Sequence, residues 1–245
     1  MLFFKKQRTR LADLITEDYT DIHSHLLPGI DDGAKDEQDS LELINTLKEY
    51  GFSHFTATPH ILPGVWNNTR EGIEAKHKST LEFFSKEGMN LPFNAAAEHM
   101  MDDTFVELFK SKPLQTLKEN YVLVEMSYIN APINLYDILF ELQLAGYKPV
   151  LAHPERYMFF HHKFEEYNKL KKAGCLFQLN LLSATGYYGE GVLKAAEKLL
   201  NENMIDFTGS DVHHKRHAEA FKNNVPFKKT DSLVKAIKNN AFFKI

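Results

Sequence analysis

The chain of 245 residues is poor in cysteine and in long apolar runs. Its single cysteine, Cys175, cannot form an intramolecular disulfide, which excludes a disulfide-stabilised scaffold and favours a reducing compartment such as the cytoplasm. No stretch of 18 apolar residues occurs, and the opening segment Met1–Lys6 lacks the apolar core of a secretory signal. We therefore expect no stable membrane insertion.

Positive charge is also scarce. The 29 Lys and Arg residues are outnumbered by 33 Asp and Glu, which gives a formal net charge of −4, and no basic stripe is present. We therefore expect no nucleic-acid partner. Repeats and Gly/Ser linkers are absent too, so the sequence predicts an N-terminal extension over residues 1–18 and a single domain over residues 19–245. It leaves the oligomeric state open.

Short apolar runs alternate with stretches of helical spacing. The apolar runs predict seven strands, over residues 19–26, 52–58, 93–98, 121–126, 148–153, 176–181 and 205–210. The helical spacing predicts helices over residues 36–50, 69–88, 102–111, 133–145, 162–173, 190–202 and 230–240. Seven strand–helix units are typical of a parallel barrel or of a doubly wound sheet.

Candidate metal ligands lie at or near the C-terminal ends of these strands. His23 and His25 are two residues apart, as are Asp211 and His213, so each pair shares one face of an extended strand. The complete candidate set is His23, His25, one of Asp31 and Asp32, His60, Glu98, Glu125, His153, Asp211 and His213. Such strand ends meet around one mouth only in a barrel, so we expect a distorted seven-stranded (β/α) barrel with its site at the C-terminal mouth.

Nine nitrogen and oxygen donors exceed the needs of one metal. They indicate a cluster of two or three metals, an arrangement that commonly carries out hydrolysis. Imidazole and carboxylate donors without thiolate suit divalent or trivalent manganese, iron or zinc.

Four segments carry a family resemblance: Asp21-Ile-His-Ser-His25, Ile30-Asp-Asp-Gly-Ala-Lys35, Ala152-His-Pro-Glu-Arg156 and Ser210-Asp-Val-His213. In this order they resemble the PHP (polymerase and histidinol phosphatase) superfamily. Within that superfamily they resemble the bacterial protein-tyrosine phosphatases of capsule and exopolysaccharide operons, the CpsB/CapC type. The similarity runs from about residue 19 to residue 225.

The resemblance implies a PHP-type barrel and three metals, with manganese first among them. His23, His25, Glu98 and Asp211 would hold the first metal. Glu98 would bridge to a second, which would also take Glu125 and His153. Asp32, His60 and His213 would hold the third, with Asp31 as the alternative to Asp32.

The resemblance also implies an activity. Metal-activated hydroxide would attack phosphorus in a phosphotyrosine protein, expected to be the tail of a bacterial tyrosine kinase that controls polysaccharide synthesis. Arg156 and Arg216, each three residues after a ligand, would bind the phosphoryl group, because a guanidinium binds phosphate with two hydrogen bonds. The alternatives are a small-molecule phosphatase, such as one for histidinol phosphate, and a non-catalytic regulatory protein.

Two further features bear on the substrate and the mechanism. Aromatic residues near the predicted mouth could flank a phosphotyrosine ring: Trp66, Tyr128, Tyr157, Tyr187 and Tyr188. Cysteine phosphatases need an arginine six residues after the catalytic cysteine, but Leu181 stands six residues after Cys175. Since Cys175 also opens an apolar strand, we expect no cysteine phosphoenzyme.

Overall fold

A computed structural model of the protein describes residues 9–244, in which parallel strands alternate with helices. The nine strands are β1 Tyr19–Asp21, β2 Phe52–Ala57, β3 His60–Ile61, β4 Phe93–Ala95, β5 Glu98–Met100, β6 Tyr121–Glu125, β7 Lys148–Ala152, β8 Leu176–Asn180 and β9 Phe207–Gly209. The eight α-helices of this part of the chain are α1 Glu37–Lys48, α2 Arg70–Lys86, α3 Asp103–Ser111, α4 Leu135–Leu144, α5 Glu165–Lys172, α6 Glu190–Asn201, α7 Lys215–Glu219 and α8 Asp231–Asn239.

The strands form two parallel sheets, which corrects the prediction of seven continuous strands. One sheet has the order β1-β2-β4 and the other has the order β3-β5-β6-β7-β8-β9. The predicted second strand ends at Ala57, and after Thr58-Pro59, where proline removes a ladder hydrogen bond, a further strand, β3, begins. The predicted third strand is interrupted at Ala96-Ala97. Because β2 pairs with β4 and β3 with β5, the two interruptions lie side by side.

The chain after β1 links the two sheets. Ser24 forms an isolated parallel bridge with Val212, the His25 amide donates to the Val212 carbonyl at 3.0 Å, and the Thr58 amide donates to the Ser24 carbonyl at 2.7 Å. At the other end of β1, Tyr19 and Thr208 of β9 share a 2.9 Å hydrogen bond between their hydroxyl groups. The last strand of one sheet thus lies against the first strand of the other.

Apolar side chains from both sheets and the helices form the core. The inner face of α1, for example, buries Leu43, Ile44 and Leu47 against it. Of the predicted extension, residues 1–8 lie outside the described residues, and with them the segment Met1–Lys6. The described part packs on the domain, since Leu11 and Ile15 are buried. No helix within residues 9–244 is long and apolar enough to cross a membrane.

Candidate metal centre

Two glycines allow the loops that carry histidines to approach closely. A Cβ atom on Gly209, the last residue of β9, would lie 2.6 Å from the Cβ of His23. A Cβ atom on Gly33 would lie 2.1 Å from the carbonyl oxygen of His25. Both distances are far inside van der Waals contact, so glycine is required where these loops hold His23 and His25 against their neighbours.

The structure brings all nine predicted ligands together. Their donor atoms form four overlapping groups, and within each group the atoms lie within 4.8 Å of one another. The groups are His25, Asp32, His60 and His213; His23, Glu98 and His153; His23, His25 and Asp211; and His60, Glu98 and Glu125. His23, His25, His60 and Glu98 each belong to two groups, so the groups make one continuous centre.

Hydrogen bonds at Nδ1 orient three of the imidazoles. Nδ1 of His23 lies 2.7 Å from Oε1 of Gln178, whose amide nitrogen is already donating to the Leu179 carbonyl. Nδ1 of His25 donates to Oδ2 of Asp31 at 2.7 Å. Nδ1 of His213 lies 2.9 Å from the carbonyl of Asp211. With the proton on Nδ1, each ring presents the bare lone pair of Nε2 to the centre, as a metal ligand must.

Glu98 lies where the groups meet. Its Oε2 is buried and has no hydrogen-bond partner among the described residues, yet Nε2 of His23 is 3.3 Å away and Nδ1 of His60 is 3.1 Å away. Burial alone would raise the pKa of Glu98, but these two histidines and a hydrogen bond from His153 hold it well below its ordinary value. A buried carboxylate among imidazoles fits a cation.

Negative charge exceeds permanent positive charge in this centre. Burial and the charge of Glu98 raise the pKa of Glu125 to about 7, so the positive charge near this carboxyl group does not offset these two effects. Arg156 is the one arginine or lysine ion-paired with a ligand carboxylate in the part of the chain described. The donor set therefore fits divalent or trivalent metals, which would balance the carboxylates and satisfy Glu98.

Two of the candidate ligands have left-handed backbones. The φ angle of His153 is 37° and that of Asp211 is 49°, values that non-glycine residues rarely adopt. His153 directly follows β7 and Asp211 lies two residues after the end of β9, and the side chains of both belong to donor groups of the centre. Strain at such positions persists where surrounding contacts enforce it, and it concentrates at functional sites.

The grouping differs from the predicted division among three metals. His60 faces both ways, because its Nε2 lies 3.5 Å from Asp32 while its Nδ1 lies 2.9 Å from Glu125. His153 groups with His23 rather than with Glu125. Asp32 belongs to a donor group. Asp31 instead binds Nδ1 of His25, on the side of the ring away from the centre, and accepts a hydrogen bond from the Gly33 amide at 3.0 Å.

The two predicted arginines have different surroundings. Arg156 is at the centre: its Nη1 donates to Oδ2 of Asp211 at 2.7 Å, and its guanidinium lies 4.9 Å from the ring centre of Tyr128 and 4.3 Å from that of Tyr188. Arg216 is exposed on α7. No hydrogen bond or ion pair joins its side chain to the centre within residues 9–244, and its role stays a prediction.

The aromatic candidates divide in the same way. Tyr157 is fully buried and its hydroxyl accepts the Met126 amide at 2.9 Å, so it cannot reach a substrate. Tyr128 and Tyr188 cover Arg156, and Trp66 lines a groove beside the centre. Tyr187 is partly exposed and packs on Tyr188.

The sequence analysis missed two supporting residues on β8. Gln178 holds His23, and Nδ2 of Asn180 donates to Oδ2 of Asp211 at 2.7 Å. A signal was present: Gln178 and Asn180 alternate with apolar residues on a buried strand, so both point toward the same face as the ligands. Polar residues buried at this spacing indicate a role in a site.

Cys175 lies apart from the centre. Its side chain is buried in an apolar cluster with Leu170, Tyr167 and Phe177, and burial raises the pKa of its thiol to about 12. Such a thiol is not a nucleophile at neutral pH.

Comparison with known proteins decides the family. Residues 19–225 match the family described as "Capsular polysaccharide synthesis, CpsB/CapC". The chain belongs to the CpsB/CapC family. That match covers the motifs and all nine candidate ligands, so it confirms the resemblance drawn from the sequence.

Named relatives of the CpsB/CapC family show the same similarity. The chain is 28% identical over 194 residues to the putative tyrosine-protein phosphatase CapC of Staphylococcus aureus, covering 79% of this chain and 76% of that protein. It is 27% identical over 237 residues to the tyrosine-protein phosphatase YwqE of Bacillus subtilis, covering 91% and 93%.

A solved structure of the family has the same fold. It comes from work on YwqE from Bacillus subtilis and CpsB from Streptococcus pneumoniae, described as unique metal-dependent tyrosine phosphatases. It superposes with a TM-score of 0.75 at 26% identity, over 90% of this chain and 94% of that chain. The fold class is therefore α/β with parallel sheets.

Proposed function

We propose that the protein is a metal-dependent protein-tyrosine phosphatase. The observation that carries this proposal is the convergence of nine imidazole and carboxylate side chains, three of whose imidazoles are held with Nε2 facing inward. Membership of the CpsB/CapC family, with relatives named tyrosine-protein phosphatases, supports the same activity. An intact donor set argues against a regulatory protein that has lost catalysis.

The nine residues would hold two or three metals, manganese first, with iron or zinc as alternatives. His23, His25, His60 and Glu98 each belong to two donor groups, whereas Asp32 and Glu125 each belong to one. When bound, such metals polarise phosphoryl oxygens and lower the pKa of water, so that hydrolysis needs no covalent enzyme intermediate. The inert Cys175 agrees with this chemistry.

The chain's own residues position the phosphoryl group. Arg156 uses one Nη1 bond to hold Asp211, which leaves other guanidinium N–H groups to donate to phosphoryl oxygens. The rings of Tyr128 and Tyr188 fix the guanidinium plane, so little conformational entropy is lost when phosphate binds. A fixed cation stabilises the charge that develops in the transition state. Arg216 would supply a second cation from α7.

We also propose that the two sheets function as one distorted seven-stranded barrel. Its support is the contact of Ser24 with Val212 and Thr58, which joins the sheets at the mouth, together with the side-by-side interruptions in the strands. In such a barrel the C-terminal strand ends would surround one mouth, and the nine candidate ligands would lie there.

The proposed substrate is a phosphotyrosine protein of the cytoplasm, the tail of a tyrosine kinase that regulates capsular or exopolysaccharide synthesis. Its support is the description of the family, which names capsular polysaccharide synthesis, and the activity in the names of the relatives.

The experiment measures metal content and phosphatase activity on the same preparation. Purified protein should hold two to three metal equivalents by elemental analysis and hydrolyse a phosphotyrosine peptide faster than histidinol phosphate. Chelation should remove metal and activity together, and Mn²⁺, Fe²⁺ or Zn²⁺ added separately should rank the metals by recovery. Full activity in metal-free protein would refute the metal mechanism, and a preference for histidinol phosphate would refute the substrate class.

A further inference from the structure

A groove of about 700 Å³ opens beside the metal centre. Its walls come from three segments: the chain after β3, the chain after β5, and residues 125–134 between β6 and α4. The apolar part of its lining includes Leu62, Trp66, Met100, Tyr128, Ile129 and Ile133.

The two isoleucines in the groove are unusually exposed. Ile129 is 84% exposed and Ile133 is 105% exposed, although they lie only four residues apart in the chain. Local hydrogen bonds fix this loop, since the Ile129 amide donates to Ser127 Oγ at 3.2 Å and Asn134 Nδ2 donates to Asp103 at 3.3 Å. Isoleucines that add nothing to the core and line a concave surface together indicate a binding surface.

The groove is continuous with the metal centre. His60 and Glu125 belong to a donor group of the centre and also line the groove, and Tyr128 both lines it and packs on Arg156. If the phosphate of a substrate phosphotyrosine reached the centre, the substrate residues that flank this phosphotyrosine would therefore lie over the groove.

The charge of the groove restricts which residue it can hold. Asp102, Asp103 and Glu125 line it, and no lysine or arginine of residues 9–244 does. Asp102 caps α3 by accepting the Phe105 amide at 2.9 Å, which holds its carboxylate in place. Acidic side chains would be repelled there, whereas an aliphatic or aromatic side chain would bury apolar surface.

We propose that this groove binds an apolar side chain of the substrate protein within a few residues of the phosphotyrosine, and that Ile129 and Ile133 determine this preference. The proposal rests on the proposed function, because it assumes that a phosphotyrosine chain enters the centre. It adds a sequence preference that the metals themselves cannot provide.

The test uses the metal-loaded full chain and a series of phosphotyrosine peptides. Each peptide carries one leucine at one of the three positions before or after the phosphotyrosine in an alanine and glycine background. At one position or more, leucine should raise kcat/KM about tenfold over the all-alanine peptide, which corresponds to about 1.4 kcal/mol. In the double variant Ile129→Ser, Ile133→Ser, that leucine-to-alanine ratio should fall to about one.

Leu144→Ser is the matched control, because Leu144 is 71% exposed on α4 and does not line the groove. It should keep the wild-type ratio.

A ratio near one for wild type at every position, or a ratio that survives in the double variant, would overturn the proposal while leaving the phosphatase function intact. Failure of wild type to hydrolyse any peptide would refute both. Light scattering on the wild type and the double variant tests a different occupant of the groove. If the double variant loses an oligomer that the wild type forms but keeps the leucine-to-alanine ratio, the groove binds a second copy of the protein and the proposal is overturned.

Discussion

Arg156 and Asp211 form a hydrogen-bonded ion pair inside the centre, with 2.7 Å between Nη1 and Oδ2. The other oxygen of Asp211, Oδ1, lies 3.3 Å from Nε2 of both His23 and His25. Burial alone would raise the pKa of Asp211, but His23, His213 and Arg156 hold it well below its ordinary value. One carboxylate thus faces the histidines with one oxygen and the Arg156 guanidinium with the other.

Replacing Arg156 should separate catalysis from metal binding. In Arg156→Ala we expect turnover to fall on the order of 100- to 1000-fold, because a fixed donor to the transition state is lost. Metal content should stay unchanged, since Oδ1 of Asp211 keeps its position and Oδ2 loses a competitor for the metal. Arg156→Lys should recover part of the activity. Turnover within about threefold of wild type, measured beside metal content on one sample, would remove Arg156 from the catalytic assignment.

Ligand substitutions should lose metal and activity together. His23→Ala and Glu98→Ala remove donors that lie in two groups each, so elemental analysis should show fewer metal equivalents and peptide hydrolysis should be abolished. Cys175→Ser is the control, because its thiol is buried and its pKa of about 12 leaves it protonated. An inactive Cys175→Ser variant with normal fold and metal content would assign the protein to another class of phosphatase.

Substitutions of Asp31 and Asp32 should affect metal binding in different ways. Asp31 holds Nδ1 of His25, so Asp31→Ala should weaken metal binding about 10- to 100-fold by releasing the ring. Asp31→Asn keeps an acceptor and should recover most of that affinity. Asp32→Ala removes a donor and should lower the number of bound metals instead. Chelator competition and elemental analysis distinguish the two; equal losses in Asp31→Ala and Asp31→Asn would contradict the supporting role.

Asn240 should contribute to stability rather than to catalysis. Oδ1 of its buried side chain accepts a hydrogen bond from the Thr208 backbone amide at 3.0 Å. Its Nδ2 donates to the carbonyls of Thr20 and Thr208 at 2.8 and 2.7 Å, so Asn240 joins β1 to β9. Asn240→Ala leaves these buried groups unpaired and should lower the free energy of unfolding by about 3 kcal/mol. Urea denaturation measures the change, with exposed Lys238→Ala as the control. A loss below about 0.5 kcal/mol would show that the sheets need no such connection.

Much of the centre was predictable because its information is local. His23 and His25 share a face through the two-residue period of an extended chain, and a polar residue after a buried apolar run marks the strand end at Glu98 or Glu125. The strand-and-helix alternation gave the α/β class for the same reason. None of these inferences required knowledge of which strands are neighbours.

The tertiary structure decided what depends on contacts between distant segments. Gln178 supports His23 from 155 positions away, and Arg156 meets Asp211 across 55 positions, so no local pattern could pair them. Arg156 and Arg216 both stand three residues after a candidate ligand, but within residues 9–244 only the Arg156 side chain bonds to one of the candidate ligands. Adjacent residues such as Asp31 and Asp32 take different roles because a turn of the backbone, not the sequence order, sets which carboxylate meets His25. The candidate ligands thus came from the sequence, whereas their grouping came from the packing of the two sheets.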